Sequence, residues 1–257
     1  MYKKDDFILV FDSGIGGISV LRELVKRMPA ERFLYFGDSQ MAPYGTRPTQ
    51  EVRALTLARI GSLMRRGIKA VVVACNTATA AAIEELRAAY PGMIIVGMEP
   101  AIKLAAERHG GGRILVMATN VTLRERKFCD LMNRFSQTCQ ITPLPCPGLV
   151  ELVEAGHLHT PQVYSHLKAL LAPEFSDKPD AIVLGCTHYP FLRPVIQEII
   201  GPAVEILDGG AGTARETLRR LQAAGLLRKG ETGSVELQNS LKSREILAMS
   251  ARLLEHA

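Results

Sequence analysis

Short apolar runs rich in β-branched residues alternate along this chain with longer stretches whose apolar positions recur at helical spacing. Runs at Phe7–Phe11, Phe33–Phe36, Ala70–Ala74, Met93–Val96, Arg113–Met117, Gln140–Leu144, Ala181–Leu184 and Val204–Leu207 read as strands. Helix-length amphipathic segments separate them, the pattern of a parallel sheet covered on both faces. One of these helices carries its own punctuation, with Thr49 as N-cap and Gly67 as C′ residue bracketing Gln50–Arg66. Near the end, Ser234–Asn239 reads as a short strand and Ser243–His256 as a final helix. The predicted fold class is α/β.

Polar residues concentrate where these strands give way to loops: Asp12-Ser13, Asp38-Ser39, Cys75-Asn76-Thr77, Glu99, Thr119, Cys186-Thr187-His188 and Asp208. In open parallel sheets that carboxyl edge is where ligands bind. The chain also echoes itself. Val71-Val72-Val73-Ala74-Cys75-Asn76-Thr77-Ala78 and Ile182-Val183-Leu184-Gly185-Cys186-Thr187-His188-Tyr189 share a strand, a small residue, a cysteine and a polar pair. Two similar parallel-sheet domains facing one another explain the echo. Met98-Glu99-Pro100, where proline biases Glu99 away from helix, marks a crossing point, and Asp208-Gly209-Gly210 marks the return. The expected division is 1–98 plus 208–257 for the first domain and 99–207 for the second.

Composition narrows the function. The 257 residues are 47% hydrophobic and 22% charged, the balance of a globular protein with a large aliphatic core. The net charge of +5 is scattered over helices without interleaved aromatics, so no nucleic-acid partner is expected. Acids in Met1-Tyr2-Lys3-Lys4-Asp5-Asp6 speak against a signal peptide, and no window approaches the roughly 18 apolar residues that cross a bilayer. The expectation is a cytoplasmic protein without membrane contact. Five cysteines without any C-x-x-C pair indicate free thiols rather than disulfides or a thiolate metal site.

Two of those thiols carry the chemistry. Cys75 and Cys186 each end a buried strand and precede polar residues that open a helix, where orphan N–H groups favour a thiolate. Facing one another across a cleft, one thiolate could remove a proton from a carbon centre while the other thiol delivers one to the opposite face. His188 and Asp12 lie at the same sheet edge and could each assist a thiol. The turn Asp12-Ser13-Gly14-Ile15-Gly16-Gly17 could cradle an anion, or could need glycine for positive φ. It nearly imitates a dinucleotide fingerprint, with Ser19 in place of the third glycine and Asp38 ending the next strand. The pair His157 and His159 is too little for a metal, and Cys129, Cys139 and Cys146 read as structural.

Taken together, the Asp12–Gly17 turn, Pro43-Tyr44-Gly45, Cys75-Asn76-Thr77-Ala78-Thr79 and Gly185-Cys186-Thr187-His188-Tyr189-Pro190 closely resemble the glutamate racemases of the cofactor-independent aspartate/glutamate racemase family. The resemblance implies a pseudo-twofold pair of α/β domains with the active site between them, interconverting L- and D-glutamate for peptidoglycan. It assigns acid/base roles to Cys75 and Cys186, assisted by Asp12 and His188. It assigns substrate binding to Ser13, Tyr44, Gly45, Asn76, Thr77 and Thr187, with Thr119 and Thr122 near the distal carboxylate. No metal or cofactor is implied, and a homodimer is the default assembly.

Two departures stand out. The family usually shows Gly-Thr where this chain has Ala118-Thr119, and serine is common where Gly209 follows Asp208. The first bears on substrate length, so aspartate or a related acid stays open. A nicotinamide oxidoreductase, resting on the glycine-rich turn, and a silent two-lobed amino-acid binder are the competing readings.

Overall fold

A computed structural model describes residues 2–174, 176–230 and 232–255. Nine strands are assigned within it: β1 Phe7–Asp12, β2 Arg32–Gly37, β3 Ile68–Val73, β4 Ile94–Gly97, β5 Arg113–Ala118, β6 Gln140–Pro145, β7 Ala181–Leu184, β8 Glu205–Asp208 and β9 Ser234–Asn239. They form two separate sheets, ordered β4-β3-β1-β2-β9 and β6-β5-β7-β8, with parallel pairing throughout. Numbered from the start of each half, both sheets run 2-1-3-4, with β9 added beyond β2. The internal echo of the sequence is therefore a repeated topology: two parallel-sheet α/β domains.

Central strands read as continuous apolar runs because both of their faces are covered. Ile8, Leu9, Val10 and Phe11 of β1 and Ala70, Val71, Val72 and Val73 of β3 are wholly buried, as are Ile114–Ala118 of β5. In a 2-1-3-4 order the connections reverse direction between the first and third strands, opening a crevice at their carboxyl ends. Asp12 ends β1 and Cys75 lies two residues past β3; Thr119 follows β5 and Cys186 lies two residues past β7. The two thiols thus leave topologically equivalent strands. The segments that follow β4 and β8 pack backbone to backbone, since a Cβ on Gly209 would stand 2.1 Å from the Glu99 carbonyl oxygen. A serine there would not fit this chain. Beside Cys186, a Cβ on Gly185 would stand 3.0 Å from the Ala118 methyl, so the small residue on β7's side gives room to the alanine on β5.

At the opposite end of β3, Lys69 is fully buried. Its ammonium donates to Glu31 Oε2 at 2.6 Å and to the Leu226 carbonyl at 3.0 Å, and Glu31 Oε1 accepts the Arg228 N–H at 2.8 Å. A buried charge persists when paired and fully hydrogen-bonded. This pair ties β3 to the segment leading into β9.

Several local expectations change. Pro48, not Thr49, holds the N-cap of the helix Thr49–Leu63, because proline supplies the extended backbone before the first turn. The Thr49 hydroxyl donates instead to Glu125 of the second domain. That helix tightens into a 3₁₀ turn at Met64–Arg66 before Gly67, at φ 69°, ends it. Cys186 is not an α-helix cap: a 3₁₀ turn, Tyr189–Leu192, intervenes before the helix Arg193–Ile200, with Pro190 and Pro194 at the starts of both. The final helix runs Arg244–Glu255, and His256 lies outside the described residues. Among the described residues no helix is long and apolar enough to cross a membrane.

Candidate active site

Cys75 is the N-cap of the helix Asn76–Ala89, its sulfur accepting the Ala78 N–H at 3.4 Å. The Ser13 hydroxyl lies 3.4 Å from the same sulfur. Helix-end stabilisation of a thiolate is therefore present, but it is outweighed. Burial first, and then the Asp12 carboxylate, push the Cys75 thiol up to about 12. At neutral pH this group holds its proton.

The second thiol has a different partner. Cys186 Sγ lies 3.6 Å from His188 Nδ1, and His188 Nε2 lies 2.7 Å from Glu154 Oε1. Burial alone would push the imidazole down, yet the hydrogen bonds and charges of Cys186 and Glu154 raise it well above its ordinary 6.5. Burial raises Glu154 too, but the His188 contacts, the Ile15 N–H and the Ser39 hydroxyl hold it below the usual carboxylate range. The result is a cationic imidazole between the Glu154 carboxylate and the Cys186 sulfur, placed to pass a proton to that sulfur or take one from it.

Asp12 spans the two domains. Its Oδ1 accepts the Thr187 hydroxyl at 3.0 Å and its Oδ2 accepts the Gly14 N–H at 3.0 Å, while burial pushes the carboxyl above its ordinary value. The glycine-rich turn that follows has no positive φ at Gly14, Gly16 or Gly17. Its glycines are there for close approach: a Cβ would meet Glu154 Oε1 at 1.8 Å from Gly14, His188 Nδ1 at 2.4 Å from Gly16 and Asp12 Cβ at 2.6 Å from Gly17. The turn does bind an anion through its backbone, and that anion is internal, since Ile15 N–H donates to Glu154 at 2.7 Å. With Glu154, Thr187 and His188 packed against it, the turn leaves no room for a pyrophosphate in this arrangement.

Thr77 of the first domain and Thr119 and Thr122 of the second form a hydroxyl cluster with separations of 2.9–3.2 Å. Thr119 caps the helix Asn120–Arg124, accepting the Thr122 N–H at 3.3 Å. Asn76 is buried, and neither its Nδ2 nor its Oδ1 has a partner. An amide left so is costly unless a ligand completes it. Tyr44 donates to Asp38 at 2.8 Å and Arg59 pairs with the same oxygen at 3.1 Å, while Asp38 Oδ1 is unpartnered. Gly45 lies against Thr119, where a Cβ would stand 2.6 Å from the threonine Cβ.

Many of these groups converge. Ser13, Tyr44, Gly45, Asn76, Thr77, Thr119, both thiols, Thr187 and His188 line one cavity of about 10 Å³, the room of a single water. Of the residues singled out in the sequence, Asp12 and Thr122 sit just behind this lining. Cys129, Cys139 and Cys146 do not line it; each donates its S–H to a backbone carbonyl. A larger hollow, about 700 Å³ beside Arg22, Phe191 and Arg193, holds no thiol.

Glu154 is the residue that sequence reasoning missed. It ends the short helix Leu149–Glu154, in which Glu151 is exposed and Glu154 turns inward. The available signal was spacing: Glu154 stands four residues after Val150, which lines the cavity, and so shares its helix face.

Comparison with known proteins agrees with this geometry. The family model for Asp/Glu/hydantoin racemases matches residues 8–217. A glutamate racemase of Clostridium perfringens is 46% identical over 246 residues, 95% of each chain. The crystal structure of a glutamate racemase isoform from Bacillus anthracis superimposes with a TM-score of 0.89 at 30% identity, covering 98% of this chain and 95% of that one. That of the Escherichia coli glutamate racemase, in complex with L-glutamate and an activator, gives 0.82 at 30% identity, covering 97% and 92%. The chain is an amino-acid racemase, an isomerase, and belongs to the Asp/Glu/hydantoin racemase family.

Proposed function

We propose that the protein interconverts L- and D-glutamate with Cys75 and Cys186 as its two acid/base groups, without a cofactor. The supporting observation is that two thiols from opposite domains, each with a polar side chain beside its sulfur, line a single polar cavity. In one direction the Cys186 sulfur takes the α-proton as the C–H bond breaks, leaving the electron pair on the α-carbon. The protonated Cys75 then gives its proton to the opposite face, inverting the centre. Catalysis in the reverse direction exchanges these roles. Asp12 and His188 restore each thiol to its starting state.

The binding roles follow from donor chemistry. Asn76, Ser13, Thr187, Gly45 and Tyr44 surround the thiols and suit the α-carboxylate and ammonium, with the Asn76 amide gaining the partners it lacks. The Thr77, Thr119 and Thr122 hydroxyls suit the distal carboxylate. The glutamate racemase relatives and the L-glutamate bound by the Escherichia coli enzyme favour glutamate over aspartate. A cavity of about 10 Å³ cannot admit either. The domains 1–98 plus 208–257 and 99–207 must part for entry and close for chemistry. Buried, unpaired thiols suit a reducing cytoplasm, and the D-glutamate formed suits peptidoglycan synthesis.

The test follows circular dichroism of L-glutamate and L-aspartate with the wild-type protein and with Cys75→Ser and Cys186→Ser. Glutamate should racemise, and each variant should lose at least about 100-fold in kcat. Full activity in either variant would overturn the two-thiol scheme, and aspartate as the faster substrate would overturn the assignment of glutamate.

A further inference from the structure

We propose that Ser39, held by Asn239, is a positioning residue for the Cys186 half of the reaction, although both lie in the opposite domain from that thiol. The inference rests on the racemase reading above and adds a residue pair to it.

Ser39 opens the 3₁₀ turn Ser39–Met41 that follows β2. Its hydroxyl donates to Glu154 Oε2 at 3.1 Å. The other Glu154 oxygen, Oε1, faces His188 Nε2 at 2.7 Å, and the far nitrogen of that ring faces the Cys186 sulfur at 3.6 Å. Behind Ser39, the Asn239 amide donates to its oxygen at 2.9 Å. One continuous chain of hydrogen bonds therefore runs from β9 across the cleft to Cys186.

The backbone is arranged to place both ends of this chain. Asn239 is the last residue of β9 and pairs in register with Gly37 of β2. A Cβ on Gly37 would stand 3.0 Å from the Asn239 amide nitrogen and 2.2 Å from the Gly14 carbonyl oxygen, so only glycine leaves the amide its place. Asn239 Oδ1 accepts the Leu241 N–H at 3.0 Å, which fixes the amide's orientation toward Ser39. With its hydroxyl proton directed to Glu154, Ser39 receives the Asn239 proton on a lone pair, so every polar atom along the chain has a role. A carboxylate fixed at both oxygens cannot rotate about its Cγ–Cδ bond. The imidazole that it holds is thereby kept in line with the sulfur.

Because the Ser39 contact crosses the cleft, it exists only when the domains are closed. Closure thus completes the proton partner of Cys186 at the same moment as it buries the substrate, whereas the Ser13 contact to Cys75 lies within one domain and needs no closure.

The test compares Ser39→Ala and Ser39→Thr by primary isotope effects with α-deuterated L- and D-glutamate. Because the equilibrium constant of a racemisation is unity, kcat/KM must stay equal in the two directions, but the isotope effects need not. Slowing proton transfer at Cys186 makes C–D cleavage more rate-limiting for the enantiomer that Cys186 deprotonates, and less so for the other. Ser39→Ala should lower kcat about tenfold, the worth of one hydrogen bond to a charged group. It should skew the isotope effects in the same sense as His188→Asn and in the opposite sense to Ser13→Ala. Ser39→Thr, which keeps the hydroxyl, should restore both. Equal isotope effects for the two enantiomers, or a skew of the Ser13→Ala kind, would overturn the proposal. A second readout is independent of substrate. The His188 Nε2 proton resonance, set by its hydrogen bond to Glu154, should move in Ser39→Ala and return in Ser39→Thr. An unmoved resonance would overturn the relay even if glutamate were not the substrate, while a protein inert toward glutamate but with the moved resonance would count against the racemase reading alone.

Discussion

Gly16→Ala should damage catalysis while leaving the fold nearly untouched. The added Cβ would stand 2.4 Å from His188 Nδ1, 2.6 Å from His188 Cε1 and 2.6 Å from Thr187 Oγ1, against 3.4 Å or more for ordinary contact. Overlap of this kind in a packed interior costs about 1–3 kcal/mol. Gly16 belongs to the first domain and both neighbours to the second, so parting the domains relieves the clash without unfolding either one. The cost then falls on the closed, reactive arrangement. At roughly 1.4 kcal/mol per tenfold change, kcat/KM should drop about 5- to 150-fold. If folding carried the same cost, Tm would fall by about 2–12 °C in a chain of this size; the expected fall is under about 2 °C. Racemisation followed by circular dichroism and a calorimetric melt of the same sample separate the two cases. Gly110→Ala is the control, because its Cβ would meet nothing nearer than the Ala106 carbonyl at 3.8 Å. A melt lowered by about 6 °C or more with kcat/KM unchanged would refute the argument, since it would place the clash within the fold and make closure irrelevant to turnover.

Two further predictions concern stability. Lys69→Met strips a fully buried cation from Glu31 and leaves that carboxylate unpaired, at a cost of about 3–5 kcal/mol. Thermal melts should show a fall of about 6–20 °C, largely recovered by adding Glu31→Gln, and an unchanged melt would contradict the pairing. The second concerns Cys75, raised from an ordinary 9.0 to about 12 by burial and the Asp12 charge. Above pH 9 the unfolded chain loses the thiol proton and the folded chain keeps it, so stability is whole below that pH and declines as pH rises toward 12. Urea unfolding between pH 8 and 10.5 should show this decline in the wild-type protein and a flatter profile in Cys75→Ala; parallel profiles would contradict the burial argument.

Much of this architecture is legible in the chain because buried parallel strands leave a direct trace. Ala181–Leu184 and Ser234–Asn239 are strands with the bounds read from the sequence, and the others differ by one or two residues at an end. The cysteine motifs are legible for a related reason: polar groups directly after a buried run need an explanation other than solubility. What the chain hides is contact between distant segments. Glu154 looks like any acid on an amphipathic helix, and only the approach of Ile15 and Ser39 from the other domain makes it part of the site. The glycines of the first turn show the same limit. Their positions are plain in the sequence, but a reading from local geometry points to positive φ, whereas the structure needs them for the closeness of Thr187 and His188. Thr49 is a third case, its hydroxyl being drawn to Glu125 rather than to its own helix.

The central claim, that two thiols act on opposite faces of one carbon, is tested most directly by the early-time fate of the α-hydrogen in deuterated buffer. L-Glutamate is mixed with the wild-type protein, and both enantiomers are separated and analysed by NMR before a tenth or so of the substrate has turned over. If Cys75 and Cys186 each serve one face, the D-glutamate formed carries deuterium at its α-carbon, while the remaining L-glutamate retains protium. Deuterium accumulating in both enantiomers at equal rates, or protium carried from L- into D-glutamate, would show a single base serving both faces and would contradict the account.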